Sequence, residues 1–414
     1  MDTKTLRCGL LGRKLGHSYS PAIHERLADY SYRLFEVEPE DLGAFLQEGA
    51  FDGLNVTIPY KKDVIPYCAE LSDTARAIGA VNTLVRRADG TLWGDNTDAY
   101  GFSMLVQSSG ADVAGKKALV FGSGGASATA QYVLRRLGAR EVVVISRHGE
   151  DNYENLDRHA DAQIAVNTTP VGMYPNTGVS LVDLHRLPRL EAALDVVYNP
   201  ARTEFLLQAE ARGLRRANGL LMLAAQAKKS CEDFTGEPVD DAKIFSITKA
   251  LEAQMHNVIL IGMPGSGKTT IGTLVAKRLG RTFVDADSAL EREAGMPIPE
   301  IFRREGEAGF RRRETAVLTE LGRQSGLVLA TGGGSVTREE NYPLLHQNGE
   351  IFCLQRALER LPSAGRPVSQ ALGAQTIYAQ RKPLYARFAD AMIDNNGTPE
   401  AAAAQILEVL GCSC

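Results

Sequence analysis

The chain has 414 residues, 44% hydrophobic and 23% charged, an ordinary globular composition with length enough for two or three domains. Its formal net charge of −4 speaks against a nucleic-acid partner while leaving room for local basic pockets that take anionic metabolites. No apolar run reaches the ~20 residues of a membrane helix. The first residues lack a charged stretch followed by an apolar core, and the six cysteines are scattered, so a cytoplasmic protein with small-molecule substrates and no membrane partner is expected.

In chain order, RCGLLG reads as a strand, SPAIHERLADY as a helix and FDGLNVTIP as a second strand. Ser20 suits the N-cap of that helix and Pro21 its first position, where a missing N–H costs nothing. From Lys116 the run KKALVFGSGGASATAQYVLRRLGAREVVVISR predicts strand, glycine turn, helix and strand. Ala130, Val133, Leu134 and Leu137 fall on one helical face, and Gly138 closes it. GLLMLAAQAKKSCEDF reads as an apolar helix packed between layers, TGEPVDD as a linker and AKIFSITKALEAQ as a bridging helix. HNVILIGMPGSGKTT then gives a strand running into a glycine loop. In the helix after it Ile271, Leu274, Val275 and Leu279 share a face ended by Gly280, and PEAAAAQILEVL closes the chain as a helix.

Two glycine turns carry chemistry. GSGGAS at 122–127 sits between strand and helix, as a dinucleotide fingerprint requires, with Gly122 and Gly124 for the turn and Ser127 at the third position. The residues expected to hold the dinucleotide are Gly122, Ser123, Gly124, Gly125 and Ala126; a plain tight turn would use the same glycines. The following strand ends in Ser146-Arg147-His148 with no carboxylate before Glu150, so a cationic Arg147 favours NADP(H) over NAD, unless it is a solvated surface arginine. GMPGSGKT fits G-x-x-x-x-G-K-[ST] in full. Gly262, Gly265, Ser266, Gly267 and Thr270 would cradle ATP phosphates, Lys268 reach the terminal ones and Thr269 ligate Mg²⁺.

HSYSP, NVTIPYK, AIGAVNTL, GDNTDAYGF, VNTTPVGM and GLLMLAAQA follow one another around the first glycine turn. As a set over residues 1–236 they resemble the shikimate dehydrogenase family. The resemblance implies that Ser18 and Ser20 bind the substrate carboxylate and that Thr57, Asn82, Asp98 and Gln226 bind its ring hydroxyls. Tyr198 would line the pocket, Gly219 would face the cofactor, and Lys61 with Asp98 would be the catalytic pair. A lysine held by a carboxylate supplies a proton to the carbonyl oxygen as hydride reaches carbon. Two departures from the pattern stand out: Tyr19 occupies a position where many relatives have Lys, and the stretch 149–163 is acidic where a second phosphate-binding cation is expected.

FVDAD, EGEAGFRRRE, ATGGGSV, GRP and RKPLY follow the second loop, and over residues 256–414 this series resembles shikimate kinase. The resemblance implies that Asp287, Arg311, Gly333, Gly334 and Arg381 hold shikimate. Asp285 would support Mg²⁺ or the attacking hydroxyl, Arg366 would cover the transferring phosphate from a short lid, and Arg360 would lie near adenine. The expected fold is α/β: a substrate domain (1–100, with a return helix at about 219–236), a Rossmann NADP domain (101–218), a linker helix (237–255) and a P-loop, nucleoside-monophosphate-kinase-like domain (256–414). The function implied is a bifunctional enzyme that reduces 3-dehydroshikimate with NADPH and phosphorylates the product with ATP. A quinate-accepting, NAD-preferring first site and a non-catalytic sensor of such ligands are the alternatives.

Overall fold

The alternating apolar and helical segments become three β-sheets with helices against them in the computed structural model, which describes residues 6–16, 18–361 and 373–411. Two compact units result. The first comprises Met1–Met173, Val179–Tyr198 and Phe205–Ala250; the second comprises Tyr174–Gly178, Asn199–Glu204 and Leu251–Cys414. Among the described residues no helix is long and apolar enough to cross a membrane.

The first unit holds two sheets. Strands Arg7–Gly12 (β1), Ser31–Glu36 (β2), Gly53–Val56 (β3), Cys68–Leu71 (β4), Thr83–Arg86 (β5) and Leu92–Asp95 (β6) lie in the order β2-β1-β3-β5-β6-β4. Within it β5 runs antiparallel to both neighbours. The second sheet is all parallel, with Lys117–Phe121 (β7), Glu141–Ile145 (β8), Ile164–Asn167 (β9), Ala192–Asp195 (β10) and Arg215–Ala217 (β11) in the order β11-β10-β9-β7-β8. Strand β7, KALVF, is buried throughout, which is why the four residues after Lys117 read as an unbroken apolar run instead of an alternating one. From β7 the chain passes through a helix to β8 on one side, while β9 lies on the other. The crevice at the carboxyl ends of β7 and β9 is therefore a topological switch point, the usual ligand position in an open α/β sheet.

The second unit holds a parallel sheet of Asn257–Ile261 (β12), Thr282–Asp285 (β13), Leu327–Ala330 (β14), Gly349–Gln355 (β15) and Ala391–Asp394 (β16), ordered β13-β14-β12-β15-β16. The glycine loop leaves the carboxyl end of central β12, Asp285 ends β13, and the three glycines 332–334 follow β14. Three stretches far apart in sequence thus reach one edge of the sheet.

Two local expectations need correction. The first helix spans Ser20–Leu27 with Tyr19 at the cap and no side-chain cap bond, so Ser20 is a helical residue and not the N-cap. The nearest side-chain bond to that end comes from Ser18, whose Oγ accepts from the Ser20 amide at 3.2 Å. In the helix Gly125–Arg136 (α5), Ala130, Val133 and Leu134 are buried but Leu137 is 40% exposed, because the helix ends one residue before it. Gly138 then takes a left-handed φ of 83° just beyond that end. In the helix Lys268–Leu279, Ile271 and Val275 are buried, Leu274 and Leu279 are partly so, and Gly280 caps it at φ 65°.

Candidate functional sites

Lys61 follows β3, and Asp98 opens the helix Asp98–Ser109 (α4) directly after β6. Their side chains meet with Nζ 2.5 Å from Oδ2, both largely shielded from water. The other carboxylate oxygen accepts from Asn82 Nδ2 at 2.9 Å. The Asn82 amide cannot turn over, because its Oδ1 accepts from the Thr97 N–H at 2.7 Å and its Nδ2 also donates to Thr97 Oγ1 at 3.0 Å. Asn82 is therefore spent on holding Asp98.

The other expected substrate residues divide. Ser18 and Ser20 are bonded neighbours, and Thr57 follows β3 with its N–H on the Leu11 carbonyl at 2.9 Å. Gln226 lies on the helix Leu220–Thr235 (α7), its amide donating to the Leu223 carbonyl at 2.8 Å. That helix crosses α4 closely. A Cβ at Gly101 would stand 2.6 Å from the Met222 carbonyl and 3.1 Å from Gln226 Cβ, so Gly101 is needed for the approach. Tyr198 meets Tyr19 edge to face, centroids 6.1 Å apart, which gives the departure at position 19 a physical partner.

Across the crevice, Gly122 turns with φ 109°, a left-handed value, and any Cβ there would meet Thr168 Oγ1 and Thr169 Cγ2 at 2.9 Å. Gly124 caps α5, and around its missing Cβ there is open space within 4 Å, as a cradle for a diphosphate needs. A Cβ on Gly125 would lie 3.9 Å from Lys61 Cδ, so the glycine turn and the Lys61 side chain face one another. Ser123 and Ala126 belong to the same turn. Ser127 is buried and accepts from Gln131 at 3.2 Å, filling the place where the helix packs on the sheet. Gly219 is explained by packing: its N–H bonds the Val197 carbonyl at 3.0 Å, and a Cβ would collide with the Val196 carbonyl.

Arg147 is exposed just past β8. Three of the five acidic residues in the stretch 149–163 are engaged by other partners. Asp151 pairs with the buried His159 at 2.9 Å, Asp157 with Arg186 at 2.9 Å and Asp161 with Lys117 at 3.0 Å. The last two carboxyls are held below their ordinary range, chiefly by those hydrogen bonds.

In the second unit Gly262, Gly265 and Gly267 all adopt positive φ (141°, 84° and 95°), so the loop's backbone can curl around an anion. Lys268 Nζ lies on the Gly262 and Met263 carbonyls at 2.9 and 3.2 Å. Thr269 Oγ1 donates to Asp285 Oδ2 at 2.9 Å, and Thr270 continues the same helix. Asp285 also caps the helix Ala286–Ala294 through Oδ1. A hydroxyl beside a carboxylate is a hard oxygen pair of the kind that holds Mg²⁺ when phosphates complete the shell. Ser266 Oγ is buried without a hydrogen-bond partner among the described residues.

A cavity of about 660 Å³ opens in front of this loop, lined by Asp287, Arg311, Glu314, Gly333, Gly334 and Arg381 among others. Burial, then the Glu314 and Asp285 charges, push the Asp287 carboxyl up to about 6. Glu314 is raised too, mainly by burial, although Arg311 sits 2.7 Å away. The glycines 332–334 are needed for room. A Cβ on Gly332 would strike Glu314 and Asp287, one on Gly333 would strike Pro264, and one on Gly334 would strike the Arg311 guanidinium. Arg381 and Tyr385 both donate to the Gly333 carbonyl, at 3.0 and 2.5 Å.

Glu314, Tyr385 and Asn395 were missed from sequence. Glu314 had a signal, standing three residues after Arg311 on one helix; Asn395, which donates to the Ser266 carbonyl at 2.5 Å across 129 residues, had none. Arg360 bonds the Asn396 carbonyl. Arg366 lies outside the described residues.

Comparison with known proteins identifies the family of each part of the chain. A family model described as shikimate dehydrogenase substrate binding domain matches residues 10–84, and one described as shikimate kinase matches residues 264–411. The NADP(+) shikimate dehydrogenase of Clostridium perfringens (strain SM101 / Type A) is 36% identical over 267 residues, which cover 59% of this chain and 98% of that protein. The crystal structure of a chorismate mutase/shikimate 5-dehydrogenase fusion protein from Clostridium acetobutylicum matches with a TM-score of 0.57 at 35% identity, over 60% of this chain and 98% of that one. Shikimate 5-dehydrogenase from Thermus thermophilus, solved with NADP(H) and shikimate, matches with a TM-score of 0.54 at 32% identity, over 59% of this chain and 99% of that one. The chain belongs to the shikimate dehydrogenase family and carries a shikimate kinase domain behind it.

Proposed function

We propose that the chain catalyses two successive steps: NADPH-dependent reduction of 3-dehydroshikimate to shikimate, then MgATP-dependent phosphorylation of the shikimate hydroxyl. One observation carries the reading. A lysine–carboxylate pair faces a dinucleotide turn in the first unit, and a phosphate loop opens onto an acid- and arginine-lined cavity in the second.

In the first site the bound dinucleotide supplies hydride. Lys61 delivers the proton to the carbonyl oxygen; Asp98 holds the ammonium in place and Asn82 holds Asp98. Ser18 and Ser20 bind the carboxylate, Thr57 and Gln226 the hydroxyls, and Tyr198 closes over the ring. Exposed Arg147, with Asp151, Asp157 and Asp161 of the following stretch engaged by other partners, supports a 2′-phosphate and hence NADP over NAD.

In the second site bound MgATP supplies the phosphoryl group, and Thr269 and Asp285 would hold the metal. Lys268 exchanges two loop carbonyls for phosphate oxygens. Arg311 and Arg381 bind the substrate carboxylate, and Asp287 accepts from the attacking hydroxyl. The test is one assay with 3-dehydroshikimate, NADPH and MgATP, following NADPH loss and ADP release together. Both signals are expected. Binding of shikimate without either turnover would overturn the reading in favour of a sensor.

A further inference from the structure

Ser230 sits on α7, fully buried, one helical turn past Gln226. Its hydroxyl is a junction. Asn55 Nδ2 donates to it at 2.7 Å, Thr83 Oγ1 and Thr97 Oγ1 each stand 2.9 Å away, and the Gln226 carbonyl lies at 3.0 Å. Asn55 is itself oriented, because its Oδ1 accepts from the Tyr32 hydroxyl at 2.8 Å. These partners come from β3, β5, the start of α4 and α7. A serine oxygen accepts two bonds and donates one. With Asn55 donating in and the hydroxyl proton going to the Gln226 carbonyl, one acceptor position remains, for which the Thr83 and Thr97 hydroxyls compete.

We infer that Ser230 is a positioning residue for the dehydrogenase, setting the catalytic carboxylate through Thr97 and Asn82. Thr97 precedes Asp98, and its hydroxyl accepts from the same Asn82 amide that donates to Asp98 Oδ1. Fixing the Thr97 hydroxyl from behind fixes the Asn82 amide, which fixes Asp98 and therefore Lys61. In this scheme Ser230 acts on the reaction only through Thr97 and Asn82. In a buried network one missing partner leaves several groups unsatisfied, so the effect reaches further than one bond. The proposal rests on the dehydrogenase reading above.

The test uses the full chain as Ser230→Ala and Ser230→Cys, the thiol keeping the volume while bonding weakly. Shikimate oxidation with NADP⁺ is followed in H₂O and D₂O, and kinase rate is measured on the same preparation. For Ser230→Ala, turnover should fall about tenfold with the KM for shikimate nearly unchanged, since small misplacements act on the chemical step. The solvent isotope effect on turnover should rise, and the kinase rate should stay at the wild-type value. Ser230→Cys should move the same way by a smaller factor. A wild-type isotope effect in both variants, with turnover either unchanged or falling in step with kinase rate, overturns the inference and leaves Ser230 a packing residue. A wild-type chain that does not oxidise shikimate at all refutes the dehydrogenase reading instead, and the inference with it.

Discussion

Lys61 and Asp98 are 37 residues apart in the chain and share one short ion pair. If that pair supplies the proton in the first site, as proposed, Lys61→Ala should lower dehydrogenase turnover by ~10²-fold or more. Kinase rate should be untouched; loss of both would contradict separate sites. Asp287 makes a pH prediction. Its carboxyl is raised to about 6 by burial among like charges, so it is neutral below that pH and ionised above it. If the carboxylate is what accepts from the hydroxyl, kinase rate should climb as pH rises through about 6. Asp287→Asn should lower the rate and flatten that limb, and a limb that survives the substitution would assign it to another group. The sign for stability is the reverse: a folded carboxyl raised above its unfolded value makes the fold less stable as pH rises through the same range. Arg147→Ala should weaken NADP⁺ more than NAD⁺ in paired KM measurements; equal weakening would take Arg147 out of the phosphate site.

At the scale of elements, the first site is held by two helices brought unusually close. Gly101 lets α4 lie against α7, and that contact sets Gln226 beside the helix that Asp98 begins. Gly101→Val would push the helices apart, and overpacking of this kind costs about 1–3 kcal/mol. Calorimetry should show a lower unfolding temperature, and dehydrogenase turnover should fall. In the second unit, glycines 332–334 run past Asp287, Glu314, Arg311 and Pro264 with no room for a side chain. Gly334→Ala should displace the Arg311 guanidinium and raise the kinase KM for shikimate with the dehydrogenase unchanged. An unaltered KM would separate Arg311 from the substrate carboxylate.

Across the whole molecule, two chemistries that need different anion cradles are built from one rule, a glycine turn at the carboxyl end of a parallel strand. Lys268→Ala should stop ADP release while NADPH oxidation continues, so that shikimate accumulates in the combined assay. Both glycine turns were legible in sequence because the chain's own local geometry makes them: positive φ at Gly122, Gly262, Gly265 and Gly267 is decided within a few residues of each. The apolar runs of β7 and β12 were legible for the same reason, burial on both faces leaving no room for alternation. Only the tertiary structure decided that Asn82 spends its amide on Asp98, that Asp151 turns to His159, that Glu314 and Asp287 crowd one cavity and that Leu137 faces water. Each of these depends on which distant segment packs alongside, and burial and charge proximity are set by that packing, not by neighbours in the chain.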